Sequence, residues 1–170
     1  MVEAELLPLL KEHGCSFVAY NPLAAGLLSG KHAAGGEVPA GRFKDNENYL
    51  PRFYTQANFE ALEKIRAACE ASGITMVEAS FAWLLQHSKL GPEDGLLIGA
   101  SSLEQLDANL AACTEGRGPL AAAVLAAFND AWDVTKDGAF AYWRSYSSDM
   151  PGREQLDQGA AYKAHGPPAK

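Results

Sequence analysis

Residues 15–31 read Cys15-Ser16-Phe17-Val18-Ala19-Tyr20-Asn21-Pro22-Leu23-Ala24-Ala25-Gly26-Leu27-Leu28-Ser29-Gly30-Lys31. The first six residues form an apolar run of strand length, and Asn21-Pro22 ends it abruptly. The pattern predicts a buried β-strand that hands over to a loop of small residues. Gly26 and Gly30 would let that loop wrap closely around a ligand, and Lys31 would supply a charge for a phosphate. An ordinary glycine-bearing loop with a solvated lysine has the same signature.

A second unit of this kind lies downstream. After the turn residues Gly91-Pro92-Glu93-Asp94, the run Gly95-Leu96-Leu97-Ile98-Gly99 predicts another buried strand. Ala100-Ser101-Ser102-Leu103-Glu104-Gln105 then opens a helix. Free backbone N–H groups and the positive end of the helix dipole make such a junction an anion site. The same residues also describe a plain N-cap, with one serine paired to Glu104 or Gln105.

Helical periodicity fills the remainder. Leu6, Leu9 and Leu10 share a face in Val2 to His13, with Gly14 as the stop. Residues 21–57 form a long connection broken by glycine and proline, a length that usually signals a functional or disordered loop. From Asn58, Phe59, Leu62, Ile65 and Cys69 recur on one face until Gly73. Thr75 and Glu78 form a capping box for a further helix that turns Val77, Phe81, Leu84 and Leu85 inward. A last helix is expected from Pro119 through Leu120, Val124, Phe128 and Trp132 to about Lys136. The tail, residues 145–170, lacks periodicity and is expected to be loosely ordered.

Strand, loop, helices, strand, helix is the alternation of a parallel α/β protein. Two parallel strands cannot bury their own edges, so a larger sheet is implied, with its other strands lost or borrowed from another chain. The 170 residues are 48% hydrophobic, enough for one core, and carry a net charge of −7. That balance argues against a nucleic acid or anionic membrane held by a basic surface. Cys15, Cys69 and Cys113 are odd in number and far apart, which suggests neither a disulfide framework nor a metal site. No run approaches a membrane span or a signal peptide, so a reducing, cytoplasmic setting is expected.

Several motifs together resemble the aldo-keto reductases, and within them the aflatoxin-aldehyde reductase subgroup. They are Tyr20-Asn-Pro-Leu-Ala-x-Gly-Leu-Leu-x-Gly-Lys31, Gly41-Arg42-Phe43, Tyr49-x-x-Arg52-Phe53, Asn58-Phe59-Glu60-Ala61 and Ile98-Gly99-x-Ser-Ser-Leu-Glu-Gln-Leu-x-x-Asn109-Leu110. They run in order, and a spaced series is far more specific than any one member. The resemblance implies an α/β fold, the C-terminal portion of a (β/α)₈ TIM barrel, incomplete and with about two strands and flanking helices. Residues 1–144 would be the C-terminal part of an NADP-dependent oxidoreductase domain.

The resemblance also implies roles for individual residues. Asn21, Pro22, Leu23, Gly26, Leu28, Gly30 and Lys31 would wrap an NADPH or NADP cofactor, with Arg42 and Arg52 in contact with it. Gly99, Ser101, Ser102, Gln105 and Asn109 would hold its adenosine end and additional phosphate. Tyr49 would border a small carbonyl substrate, and Arg144 would bind a substrate carboxylate. Guanidinium groups suit such contacts because they pair bidentately with phosphate and carboxylate.

The family's Asp, Tyr, Lys, His catalytic set matches no motif here, and no residue is assigned a catalytic role. His13, His32, His87 and His165 are expected to be exposed or at helix ends. His32 and Pro51 are smaller departures from the family pattern. Two further readings follow: a truncated product that needs the missing N-terminal barrel portion or a homo-oligomer, or a non-catalytic nucleotide-binding or interaction module.

Overall fold

In the computed structural model, residues 2–46, 49–113 and 118–139 are described. Helix α1 (Leu6–Glu12) leads to strand β1 (Val18–Ala19), and two 3₁₀ turns at Ala24–Ser29 follow. After a long loop come α2 (Leu50–Phe53), α3 (Gln56–Ala71) and α4 (Met76–Gln86). Strand β2 (Gly95–Leu96), α5 (Leu103–Ala112), α6 (Ala122–Thr135) and a 3₁₀ turn at Lys136–Gly138 complete the order.

The two strands are parallel neighbours, with Val18 opposite Gly95 and Ala19 opposite Leu96. Hydrogen bonds from Gly95 N–H to the Phe17 carbonyl and from Leu97 N–H to the Ala19 carbonyl, both 2.8 Å, fix that register. A side chain braces it. Asp94 accepts from the N–H groups of Phe17 at 2.8 Å and Gly91 at 2.7 Å, joining the turn before β2 to the start of β1.

Helix α3 is set by the Thr55 hydroxyl, which accepts from Asn58 N–H, so the helix begins before the Asn58 expected from periodicity. The Thr75–Glu78 capping box at α4 is present in full. Leu62, Ile65 and Cys69 of α3 meet Met76, Ala79 and Ala82 of α4 and Val124 and Ala131 of α6 in one core, joined by Leu27 and Phe43 from the long connection. Trp83 and Phe128 stack at 6.3 Å at the edge of this core.

Several expectations need correction. Both strands form but are only two residues long, and Val18, Tyr20 and Leu97 are each more than 60% exposed rather than buried. Their outward faces have no further strand or helix to pack on among the described residues. On α1 it is Leu7 that is buried while Leu9 is exposed, and on α4 Leu85 is exposed while Ala79 and Ser80 are buried. On α4 the core-facing stripe is thus rotated from that read off the large aliphatic residues, because the small Ala79 and Ser80 allow the closest helix approach. Helix α6 starts at Ala122, with Pro119 in the preceding turn. The Leu120 N–H there donates to His87 Nε2 at 3.0 Å, a bond that holds the turn against the end of α4. Within residues 21–57 lie the 3₁₀ turns and α2.

Candidate functional site

Parallel, in-register pairing makes β1 and β2 release their chains at the same end of the sheet. The Asn21 to Lys31 loop and the Gly99 to Asn109 segment both begin there, two and three residues beyond the last paired positions, Ala19 and Leu96. The C-terminal ends of parallel strands are where barrels and open α/β sheets build ligand sites.

The first loop is bent sharply. Asn21, Ala24 and Ala25 have φ of 57°, 48° and 60°, and Gly26 and Gly30 have φ of 105° and 84°. A left-handed backbone at alanine is disfavoured, so this shape is imposed by its surroundings. Ala24, Ala25 and Leu28 pack against the core, which supplies that constraint. Pro22 and Leu23 are half-buried in the turn that begins the loop, and Lys31 is exposed.

Arg42 reaches back to this loop, with Nη1 donating to Asn21 Oδ1 at 3.4 Å and Cζ 5.5 Å from the Tyr49 ring centroid. Arg42, Asn21 and Tyr49 are therefore brought together. Arg52 is buried, with Cζ 5.7 Å from the Phe53 ring. Around these residues Phe43, Tyr49, Phe53, Tyr54 and Phe59 form an aromatic cluster with ring centroids 5.1 to 6.4 Å apart.

At the second loop, the Ser102 hydroxyl caps α5 by accepting from Gln105 N–H at 3.2 Å. Gln105 Oε1 reaches back to the N–H and hydroxyl of Ser101, at 3.0 and 2.9 Å. Ser102 is thus the N-cap, and Ser101, Ser102 and Gln105 are one hydrogen-bonded unit at an exposed helix start. Asn109 is buried, and its Nδ2 donates to the Gly99 carbonyl at 3.2 Å, tying the turn to the helix. Gly99 has no neighbour within 4 Å of an added Cβ. Arg144 and the tail lie outside the described residues.

Sequence reasoning missed two residues of this region. His32, expected to be exposed, is buried, because it turns into the aromatic cluster instead of following Lys31 to solvent. Arg66 donates to the Gly30 carbonyl at 3.2 Å and the His32 carbonyl at 2.8 Å, pinning the loop to α3. Its place four residues after Leu62, on the margin of the apolar stripe, was the available signal. His32 offers no comparable pattern.

Among the described residues, no helix is long and apolar enough to cross a membrane, and no group of three or more His, Cys, Asp and Glu side chains could hold a metal ion.

Residues 1–132 match the model of the aldo/keto reductase family. The chain is 43% identical over 155 residues to aflatoxin B1 aldehyde reductase member 2 of Rattus norvegicus, with 84% of this chain and 42% of that protein covered. It is 41% identical to aldo-keto reductase family 7 member A3 of Homo sapiens, covering 84% and 46%. The chain thus spans less than half the length of these relatives. A glycerol dehydrogenase structure, AKR11B4 from Gluconobacter oxydans, has a TM-score of 0.57 at 23% identity, over 77% of this chain and 38% of that one. That likeness supports the fold, a portion of an α/β barrel. The family-model match and the sequence identities establish that the chain belongs to the aldo/keto reductase family, in the aflatoxin-aldehyde reductase subgroup.

Proposed function

We propose that this chain supplies the cofactor-binding edge of an NADPH-dependent aldo-keto reductase that reduces small aldehydes and ketones. The observation that carries the reading is the parallel pairing of β1 with β2, which sends the two candidate loops out on one side. Supporting it are the donor types found there. Lys31 and Arg42 are exposed cations, Arg52 is a buried one, and the α5 N-terminus adds oriented backbone N–H groups. This set suits the several negative charges of a dinucleotide.

In this reading Asn21 to Lys31, with Arg42 and Arg52, wrap the cofactor. Ser101, Ser102, Gln105 and Asn109 hold its adenosine end and additional phosphate. When bound, the cofactor supplies a hydride for the carbonyl carbon. Tyr49, held beneath Arg42, borders the substrate, and Arg144 takes a substrate carboxylate. The proton donor for the resulting alkoxide is not assigned to this chain. A phenol for that task needs its acidity increased, whereas burial pushes the Tyr54 phenol up from its ordinary value. The complete active site would then need the other barrel strands, from a longer product or from a partner chain. A cytoplasmic setting fits the free cysteines Cys15, Cys69 and Cys113.

Binding of NADPH and NADH to the chain, followed by nucleotide fluorescence, tests this. NADPH should bind more tightly. Replacing Ser101 and Ser102 together by alanine should weaken NADPH about tenfold or more and NADH much less, since a hydrogen bond to a charged group contributes about 1.5 to 3 kcal/mol. Equal losses would reduce the serines to a helix cap. Turnover of 2-carboxybenzaldehyde by the chain alone should be undetectable, and a rate within about tenfold of a complete relative would overturn the assignment of the acid elsewhere.

A further inference from the structure

His32 and Tyr54 make a polar contact inside the aromatic cluster. The His32 ring is 8% exposed, and its Nδ1 lies 2.6 Å from the Tyr54 hydroxyl. The ring also meets Phe43 edge-on at 5.1 Å and Tyr54 at 5.7 Å. Two apolar rings would fill this space without desolvating an imidazole and a phenol, so the bond contributes direction rather than contact area.

What it directs is visible from the neighbours. Lys31 lies between the Gly30 and His32 carbonyls, both of which accept from the Arg66 guanidinium. Arg42 precedes Phe43, which packs on both His32 and Tyr54. Arg52 lies two residues before Tyr54, and Phe53 between them also packs on Phe43. Each of the three candidate cations is therefore at most two residues from a member of this cluster, although they come from three separate stretches of the connection.

We propose that His32 and Tyr54 form a positioning clamp that holds Lys31, Arg42 and Arg52 together for an anionic ligand. The inference rests on the dinucleotide-binding reading, and adds to it the device that sets the loop and makes it sensitive to pH. The charged and titratable groups facing His32 are Lys31 on its own segment, Tyr54 after α2 and Arg66 on α3, the last paired with Glu63 at 3.4 Å. Burial holds the imidazole below its ordinary value, Lys31 acts in the same sense, and hydrogen bonding to Gly26 opposes both. The clamped loop thus holds the neutral ring, while an opened loop takes up a proton as pH falls below the ordinary imidazole range. Acidification favours opening.

Sulfate is a suitable probe because its charge does not change across this range. It would be titrated into the full chain at constant ionic strength, at pH about 7.5 and about 5.5, on either side of the ordinary imidazole value. Binding would be followed through the side-chain NMR signals of Lys31, Arg42 and Arg52. Wild type should bind about fivefold more weakly at the lower pH, and Tyr54→Phe, which keeps the ring contacts, about fivefold more weakly at the higher pH, the scale of one lost hydrogen bond. His32→Asn places an amide near the Nδ1 position, so it should keep affinity at the higher pH and lose the pH dependence. Unchanged affinity in Tyr54→Phe, or a pH profile that persists in His32→Asn, would overturn the clamp while the anion site stands. Absence of sulfate binding by every protein at both pH values would overturn the dinucleotide reading and the clamp with it.

Discussion

Gly30 and Gly99 show how a single residue separates folding from binding. Gly30 has φ of 84° at the end of the 3₁₀ turns, and an added Cβ would meet no atom within 4 Å. Its requirement is therefore one of backbone, not of space. Gly30→Ala should destabilise the chain by about 1 to 2 kcal/mol, the cost of a left-handed residue with a Cβ, measured as a fall in the denaturation midpoint. Gly99 also has open space around it, but its φ lies outside the left-handed range. Gly99→Ala should change stability by less than about 0.5 kcal/mol. If the cofactor backbone passes close to Gly99, the same variant should bind NADPH at least about tenfold more weakly, because a methyl group would stand in its path. A variant that binds normally would remove Gly99 from the site. Both glycines were legible as loop glycines in the sequence, yet only the backbone angle tells which one folding needs.

At the scale of elements, the sequence was most informative where one local signal decides. The Thr75–Glu78 box and the Ser102 cap are present as their spacing implies, because capping depends on residues three apart and little else. Strand burial and the inward face of α4 depended on what lies across from them, which no local pattern contains. His32 is the same case at the candidate site: its neighbours Phe43 and Tyr54 are eleven and twenty-two residues away. Asp94 is another long-range part, since it reaches back to Phe17 N–H as well as to Gly91 N–H. Those two donors hold its carboxyl below the ordinary carboxylate range, and Lys11 adds to the effect. A depressed folded-state value means that the carboxylate stabilises the fold above its unfolded value, near 3.9, and that this stabilisation is lost as pH falls through the folded value. Asp94→Ala should therefore melt below wild type at neutral pH, with the gap closing under acid. A gap that stays constant down to pH about 2 would show that the side chain acts by packing alone.

Across the whole molecule, the helices are better satisfied than the sheet. Helices α3, α4 and α6 share a packed core, while β1 and β2 pair only with each other among the described residues and leave Val18, Tyr20 and Leu97 largely exposed. A groove of about 640 Å³, whose lining includes the half-buried or exposed Leu28, Trp83, Leu84, Phe128 and Trp132, adds further accessible apolar surface. Barrels avoid such exposure by closing, and an unpaired parallel edge is a template for another strand. The isolated 170-residue chain is therefore expected to self-associate through these edges, binding a hydrophobic dye and unfolding in a broader transition than a closed barrel would. Light scattering on a sizing column, together with calorimetry, reads both properties. Dye binding should fall and cooperativity rise if the remaining barrel strands are supplied by fusion, because they would cover the exposed edges that the helices cannot reach. A monodisperse monomer with a sharp melt and no dye binding would instead mean that the α3, α4 and α6 core sustains the fold unaided. The exposed strands would then be a tolerated surface, and the chain would stand as a self-sufficient nucleotide-binding module.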